Sequence, residues 1–112
     1  MSHTKLAKNN FLKVNIGTAA HINLVVVYNR RESPGRINGA IVSVINGKKK
    51  HKCGTINYNK WQLAYYFSCD GAKGNIVEVL LPTKGYLHIA EVEVYGKLYC
   101  LTQLTVDPLL YN

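Results

Sequence analysis

Acidic residues are scarce in this chain, and so is any helical periodicity. Six Asp and Glu stand against fourteen Lys and Arg, a formal net charge of +8 over 112 residues, so an anionic partner has to be considered, although charge alone does not name one. No stretch approaches the ~18 consecutive apolar residues of a transmembrane helix, and residues 1–10 lack the apolar core of a signal peptide. Those two absences, taken alone, suit an intracellular chain. The histidines at 3, 21, 51 and 88 show no His-x-x-x-His spacing, and there is no Cys-x-x-Cys, so nothing resembles a zinc site. Ser2, Ser33, Ser43 and Ser68 lack a nucleophile-elbow context, and the scattered acids form no evident catalytic pair. These gaps argue against an enzyme. Three prolines, no internal repeat and no low-complexity tract exclude a disordered or solenoid chain, and the length suits a single domain.

What is present is a series of short apolar runs, β-branched or aromatic, punctuated by Gly, Asn and Pro. This is the pattern of strands in a sandwich. Strands are expected at 11–16, 22–28, 40–45, 52–56, 63–68, 76–81 and 87–95. In the last, His88, Ala90, Val92 and Val94 share one face while Ile89, Glu91, Glu93 and Tyr95 share the other. Turns are expected at Ile16-Gly17-Thr18, 29–38, Asn46-Gly47, Asp70-Gly71 and 82–85, each holding a residue that tolerates positive φ or fixes φ. The apolar segment at 98–106 reads equally as a further strand or as a tail.

Two loops concentrate charge. Asn29-Arg30-Arg31-Glu32-Ser33-Pro34-Gly35-Arg36 sets three guanidinium groups beside one carboxylate, directly after the most hydrophobic strand. Arginine donates paired hydrogen bonds in one plane, which suits adjacent sugar hydroxyls as well as a phosphate. The run Lys48-Lys49-Lys50-His51-Lys52 would suit a phosphate backbone or a sulfated glycan, but no aromatic is interleaved to stack bases. For both loops an ordinary solvated turn is the competing reading. Among the three cysteines, Cys53 and Cys69 are the candidate pair, separated by turn residues that would let a hairpin bring them together. Three buried free thiols remain the alternative.

Several passages carry a resemblance to the fucolectin group of the discoidin-like, or F5/8 type C, domains. Asn9-Asn10-Phe11-Leu12-Lys13-Val14-Asn15-Ile16-Gly17 is similar to the family's Asn-Pro-Trp-Trp-Arg-Val-Asp-Leu-Gly strand, and Val27-Tyr28-Asn29-Arg30-Arg31-Glu32 resembles its Asn-Arg-x-Asp loop. Ile89-Ala90-Glu91-Val92-Glu93-Val94-Tyr95-Gly96 resembles the closing Cys-Glu-Val-Glu-Val-Tyr-Gly strand. The family's sugar-binding motif begins with a His and, after 26 residues, an Arg, and here His3 stands at that spacing before Arg30. Glu32 replaces the motif's Asp, and the gap from it to the last basic residue, Arg36, is one residue short.

The resemblance implies an all-β, antiparallel jelly-roll sandwich over residues 1–96, incomplete at its N-terminal end, followed by a strand or tail at 97–112. It further implies that His3, Arg30 and Arg36, with Glu32 beside them, bind L-fucose-containing glycans, with no enzymatic activity and an extracellular location. A vicinal Cys-Cys platform found in family members is replaced by Ser33-Pro34. Cys-Gly-Thr-Ile at Cys53 and the later Cys69-Asp70-Gly71 resemble the family's internal disulfide, which leaves Cys100 unpaired. Calcium is the implied cofactor, with Glu91 as the one recognisable ligand, because the segment that supplies most ligands has no counterpart here. An open sheet edge left by that segment makes a homo-oligomer the expected assembly. The competing function is a basic discoidin-like adhesion module for anionic phospholipid, sulfated glycan or a protein partner, which exposed aromatics at loop tips would favour. No nucleic-acid partner is expected.

Overall fold

A computed structural model describes residues 2–3, 10–31, 34–83, 87–97 and 103–104. Eight strands run in chain order: β1 (Ser2–His3), β2 (Asn10–Tyr28), β3 (Ile41–Asn46), β4 (Lys49–Thr55), β5 (Ala64–Leu81), β6 (His88–Ile89), β7 (Glu91–Lys97) and β8 (Gln103–Leu104). A 3-10 turn occupies Pro34–Ile37. Every pairing is antiparallel, in the order β4-β3-β5-β2-β7-β8, with a separate β1-β6 pair. Among the described residues no helix is long and apolar enough to cross a membrane.

Two of the expected turns are bends inside long strands. Expected strands 11–16 and 22–28 are one strand, β2, and 63–68 and 76–81 are likewise joined in β5. In their ladder Asn15 faces Ile76, yet the next pair is Ala20 with Gly74, so residues 16–19 oppose Asn75 alone. Next, Ile22 faces Ala72 and Leu24 faces Ser68, so Asn23 opposes Cys69, Asp70 and Gly71. Gly17 (φ 85°), Asp70 (φ 55°) and Gly71 (φ 72°) supply the backbone angles, and Asn15 Oδ1 accepts the Gly17 N–H at 2.8 Å. Extra residues on one side of a ladder bend and twist it, which lets one strand serve two layers.

One layer therefore contains β4, β3, the second half of β5 and the first half of β2. The other contains the first half of β5, the second half of β2, β7 and β8. Leu12, Val14, Val42, Val44, Val77 and Val79 of the first layer share one buried cluster with Val25, Val27, Tyr65, Cys69, Val92 and Val94 of the second. Alternate residues point inward because side chains on a strand alternate faces. The Cys53–Cys69 disulfide joins β4 to β5. It forms through the facing of the two layers, with β3 between its strands in the ladder order, and not through the hairpin expected from sequence. Cys100 lies outside the described residues.

The last expected strand breaks at Ala90, whose N–H donates to Tyr28 O at 2.9 Å. The break changes the alternation. Ile89, grouped by periodicity with Glu91 and Glu93, is instead 1% exposed and joins the core with Val92 and Val94. The Asn46-Gly47 turn is a two-residue hairpin, since Asn46 pairs with Lys49. Gly47 alone takes positive φ there (60°), the arrangement of a type II′ turn. Within 98–106, residues 103–104 form β8 against Gly96 and Lys97.

Candidate functional site

The end of the sandwich where β2 leaves the sheet is stitched together by backbone bonds. Asn29, nearly buried, donates its N–H to Leu63 O at 2.8 Å. Gly39 N–H donates to Ile56 O at 2.9 Å and Ile56 N–H to Ala40 O at 2.8 Å. Asn38 Oδ1 accepts the Tyr58 N–H at 2.9 Å. The segments 29–31, 34–40 and 56–63 are thereby fixed relative to one another.

They enclose an open cavity of about 320 Å³ walled by Arg30, Arg31, Tyr58, Trp61, Gln62 and Leu63, among others. That volume is at the lower end of small-ligand sites, ~300–1,000 Å³. Arg30 is half-buried and Arg31 exposed. Trp61 is 84% exposed and Leu63 47%. The exposed indole and Leu63 lie together in the cavity lining, and the turn that carries the indole is well anchored. Asn59 Oδ1 accepts the Trp61 N–H at 2.9 Å, and Asn59 O accepts the Gln62 N–H at 3.0 Å. The buried Tyr65 hydroxyl donates to Asn59 O at 3.2 Å and accepts the Asn59 N–H at 3.0 Å. Lys60 Nζ stands 5.0 Å from the indole centroid. The lining thus offers guanidinium donors together with aromatic surface, a combination that suits a ligand with both hydroxyls and an apolar ring face.

Of the residues singled out from sequence, Arg30 lines this cavity. Arg36 is exposed on the 3-10 turn, outside the lining but next to Gly35, where an added Cβ would lie 3.8 Å from the Tyr58 ring. His3 pairs through its backbone with His88, two residues before the Ala90–Tyr28 bond, so its strand reaches the same end as Arg30. Glu32 lies outside the described residues. Tyr58 and Trp61 are site residues that the sequence analysis does not single out, because the stretch between Cys53 and Cys69 reads there only as a source of turn residues. A lone Trp inside such a turn was the available signal.

Glu91, half-buried at the start of β7, faces Tyr28 across the ladder. Its neighbour Glu93 is already engaged: Oε1 accepts the Tyr28 hydroxyl at 2.8 Å and the Tyr95 hydroxyl at 3.0 Å. The hydrogen bond to Glu93, then burial, then the carboxylate's charge push the Tyr28 phenol up to about 12, and the same causes raise that of Tyr95. Among the described residues no three of His, Cys, Asp and Glu gather in one place.

No protein-family model and no curated protein matches this sequence. Solved structures do. A fucolectin from striped bass (Morone saxatilis) serum superposes with a TM-score of 0.80 at 28% identity, covering 87% of this chain and 35% of that one. The lectin domain of lectinolysin, complexed with Lewis B antigen, gives 0.78 at 24% identity, covering 86% and 71%. A fucose binding module of Streptococcus pneumoniae gives 0.72 at 22% identity, covering 82% and 67%. This chain thus spans about a third of the fucolectin chain and some two-thirds of the other two. The layered sheet, the bent strands and these superpositions together give the chain the discoidin-like β-sandwich fold of its structural neighbours, a fucolectin and lectin or fucose-binding modules.

Proposed function

We propose that this domain is a non-enzymatic, extracellular lectin that binds L-fucose-containing glycans in the cavity between Arg30 and Trp61. One observation carries the reading: Arg30, the residue in register with the family's sugar-binding motif, lines a concavity that Tyr58 and Trp61 also line. Its guanidinium fork donates to two adjacent hydroxyls, while Tyr58 and Trp61 receive the apolar face or methyl of the sugar. His3 and Arg36 complete the hydrogen-bonding set. Ser33-Pro34 offers no sulfur platform, so the indole takes over that apolar contact and a shifted glycan preference follows. The disulfide is compatible with an oxidising compartment.

Arg30→Ala should remove measurable binding to a fucosylated oligosaccharide while leaving the fold intact, since a lost charged donor costs about 1.5–3 kcal/mol. Calorimetric titration with free L-fucose as competitor reads this out, and an unchanged affinity would end the fucose reading. The exposure of Trp61 beside Lys60 and Arg31 favours a second reading, adhesion to anionic phospholipid. Flotation with phosphatidylserine vesicles separates the two, because the lectin stays with the aqueous phase.

A further inference from the structure

Away from Arg30 lies a second, larger concavity that fucose binding does not use. It measures about 570 Å³ and includes Val44, Lys49, Lys50, His51, Ala72 and Lys73 in its wall. Its parts are held by tight local geometry. The two-residue hairpin at Gly47 presents Lys49 and His51 from the start of β4, and the Asp70-Gly71 bulge brings Ala72 and Lys73 alongside. At Gly74 the two parts touch so closely that a Cβ there would lie 2.5 Å from Ile45 O. His21, paired with Lys73, adds its Nδ1–H to Gly71 O at 3.0 Å and pins the bulge.

The charge here is one-sided. The lining holds three lysines and a histidine and no acid. Glu78, close to Lys50, is already held by Lys50 at 2.9 Å and Lys13 at 3.9 Å, with its side chain 7% exposed. The groove therefore suits an anion. Lysine ammonium groups meet sulfate or carboxylate from many directions, unlike the planar arginine fork, and the half-buried Ala72 supplies a small apolar floor. No Phe, Tyr or Trp lines the groove, so it lacks the broad stacking platforms of single-strand nucleic-acid sites. Among the described residues the exposed large hydrophobics, Phe11, Trp61, Leu63 and Tyr66, are not in the groove's lining, which therefore offers no large apolar side chain to a bilayer.

We propose that this groove is a second carbohydrate site, for sulfated or carboxylated glycan segments, independent of the fucose reading. Ile22 pairs with Ala72 at the groove, and Arg30 stands eight residues farther along. At ~3.3 Å per residue the two sites lie roughly 26 Å apart, within the 40 Å length of the molecule. Both can be filled at once.

The test uses the full chain and a fluorescent heparin-type tetrasaccharide, with its desulfated counterpart as control. The sulfated probe should bind at low salt, weaken as ionic strength rises, and lose about two- to thirtyfold in affinity in Lys49→Gln/Lys73→Gln, two exposed ion pairs' worth. Ala72→Glu, which places a carboxylate in the floor, should abolish binding. Arg30→Ala should bind the probe normally, and Lys49→Gln/Lys73→Gln should keep any fucosylated-glycan binding, so the two proposals fail separately. The proposal falls if the sulfated probe does not bind at low salt, if the desulfated one binds equally, if both groove variants bind like the parent, or if an oligonucleotide or phosphatidylserine vesicle of equal charge outcompetes it.

Discussion

Tyr65→Phe tests whether the Trp61 turn is a binding element or only a surface feature. The hydroxyl it removes is 4% exposed as part of Tyr65 and bonds both the N–H and the carbonyl of Asn59. Each bond contributes about 1 kcal/mol net, so the variant should lose about 1–2 kcal/mol of stability. For a domain of this size that lowers Tm by about 5–10 °C. The ring stays, so no cavity forms in the core. Water can reach Asn59, and the turn should loosen without unfolding.

Binding is the more informative readout. If Tyr58 and Trp61 are held ready for a glycan, releasing the turn makes the ligand bear the ordering of those side chains, about 0.5–1.5 kcal/mol each. Affinity for a fucosylated oligosaccharide should fall about five- to 150-fold, similar to Trp61→Ala, with both measured by calorimetry well below Tm. A variant that loses the expected stability yet binds like the parent would refute the aromatic wall. One that loses no stability would refute the hydrogen-bond reasoning.

Replacing both Cys53 and Cys69 with Ser should cost about 3 kcal/mol by loop entropy, seen as a fall of about 10–15 °C in Tm by calorimetry. Reduction of the parent should match it. Phenol absorbance should show Tyr28 and Tyr95 ionising after the exposed tyrosines, and Glu93→Gln, which keeps an acceptor but removes the charge, should bring both back toward the ordinary value. Because the folded value lies above the unfolded one of about 10, the stabilisation is intact below that pH and lost as pH climbs toward 12. Urea midpoints across that window should fall less in Glu93→Gln than in the parent.

Strand positions were legible wherever alternation held locally. Val42 and Val44, Val77 and Val79, and Val92 and Val94 all point inward as their spacing requires. Continuity was not legible. Gly17 and Asp70-Gly71 have turn chemistry, and a window of a few residues does not tell a chain reversal from a bend inside a paired strand. The difference depends on partners at 74–76 and 22–24, far away in sequence. The disulfide was identified as a pair but not as a link between layers, because layering follows from those same bends. At the site, Arg30 was found because its role depends on a spacing along the chain. Trp61 was missed because its role depends on what the Asn59 turn leans against, and Tyr65 supplies that from the next strand.

The bends also impose a close approach that a single methyl group can test. A Cβ at Gly74 would lie 2.5 Å from Ile45 O and 2.6 Å from Val44 Cγ1. The valine can rotate, but the carbonyl belongs to β3, which is bonded on both sides. At Gly54 the added Cβ would lie 2.6 Å from Phe67 Cδ1, and that ring is only half-buried and free to turn about its own bonds. Gly54→Ala should therefore cost little, while Gly74→Ala should cost about 1–3 kcal/mol as overpacking that only backbone movement relieves. Urea denaturation reads the contrast. Because Gly74 adjoins Lys73 and Val44, its variant should also weaken the sulfated probe while leaving the Arg30 end unaffected. Equal stability of the two variants would mean that β3 and the bend of β5 are not in the contact described, and the groove built on that contact would lose its rigid floor.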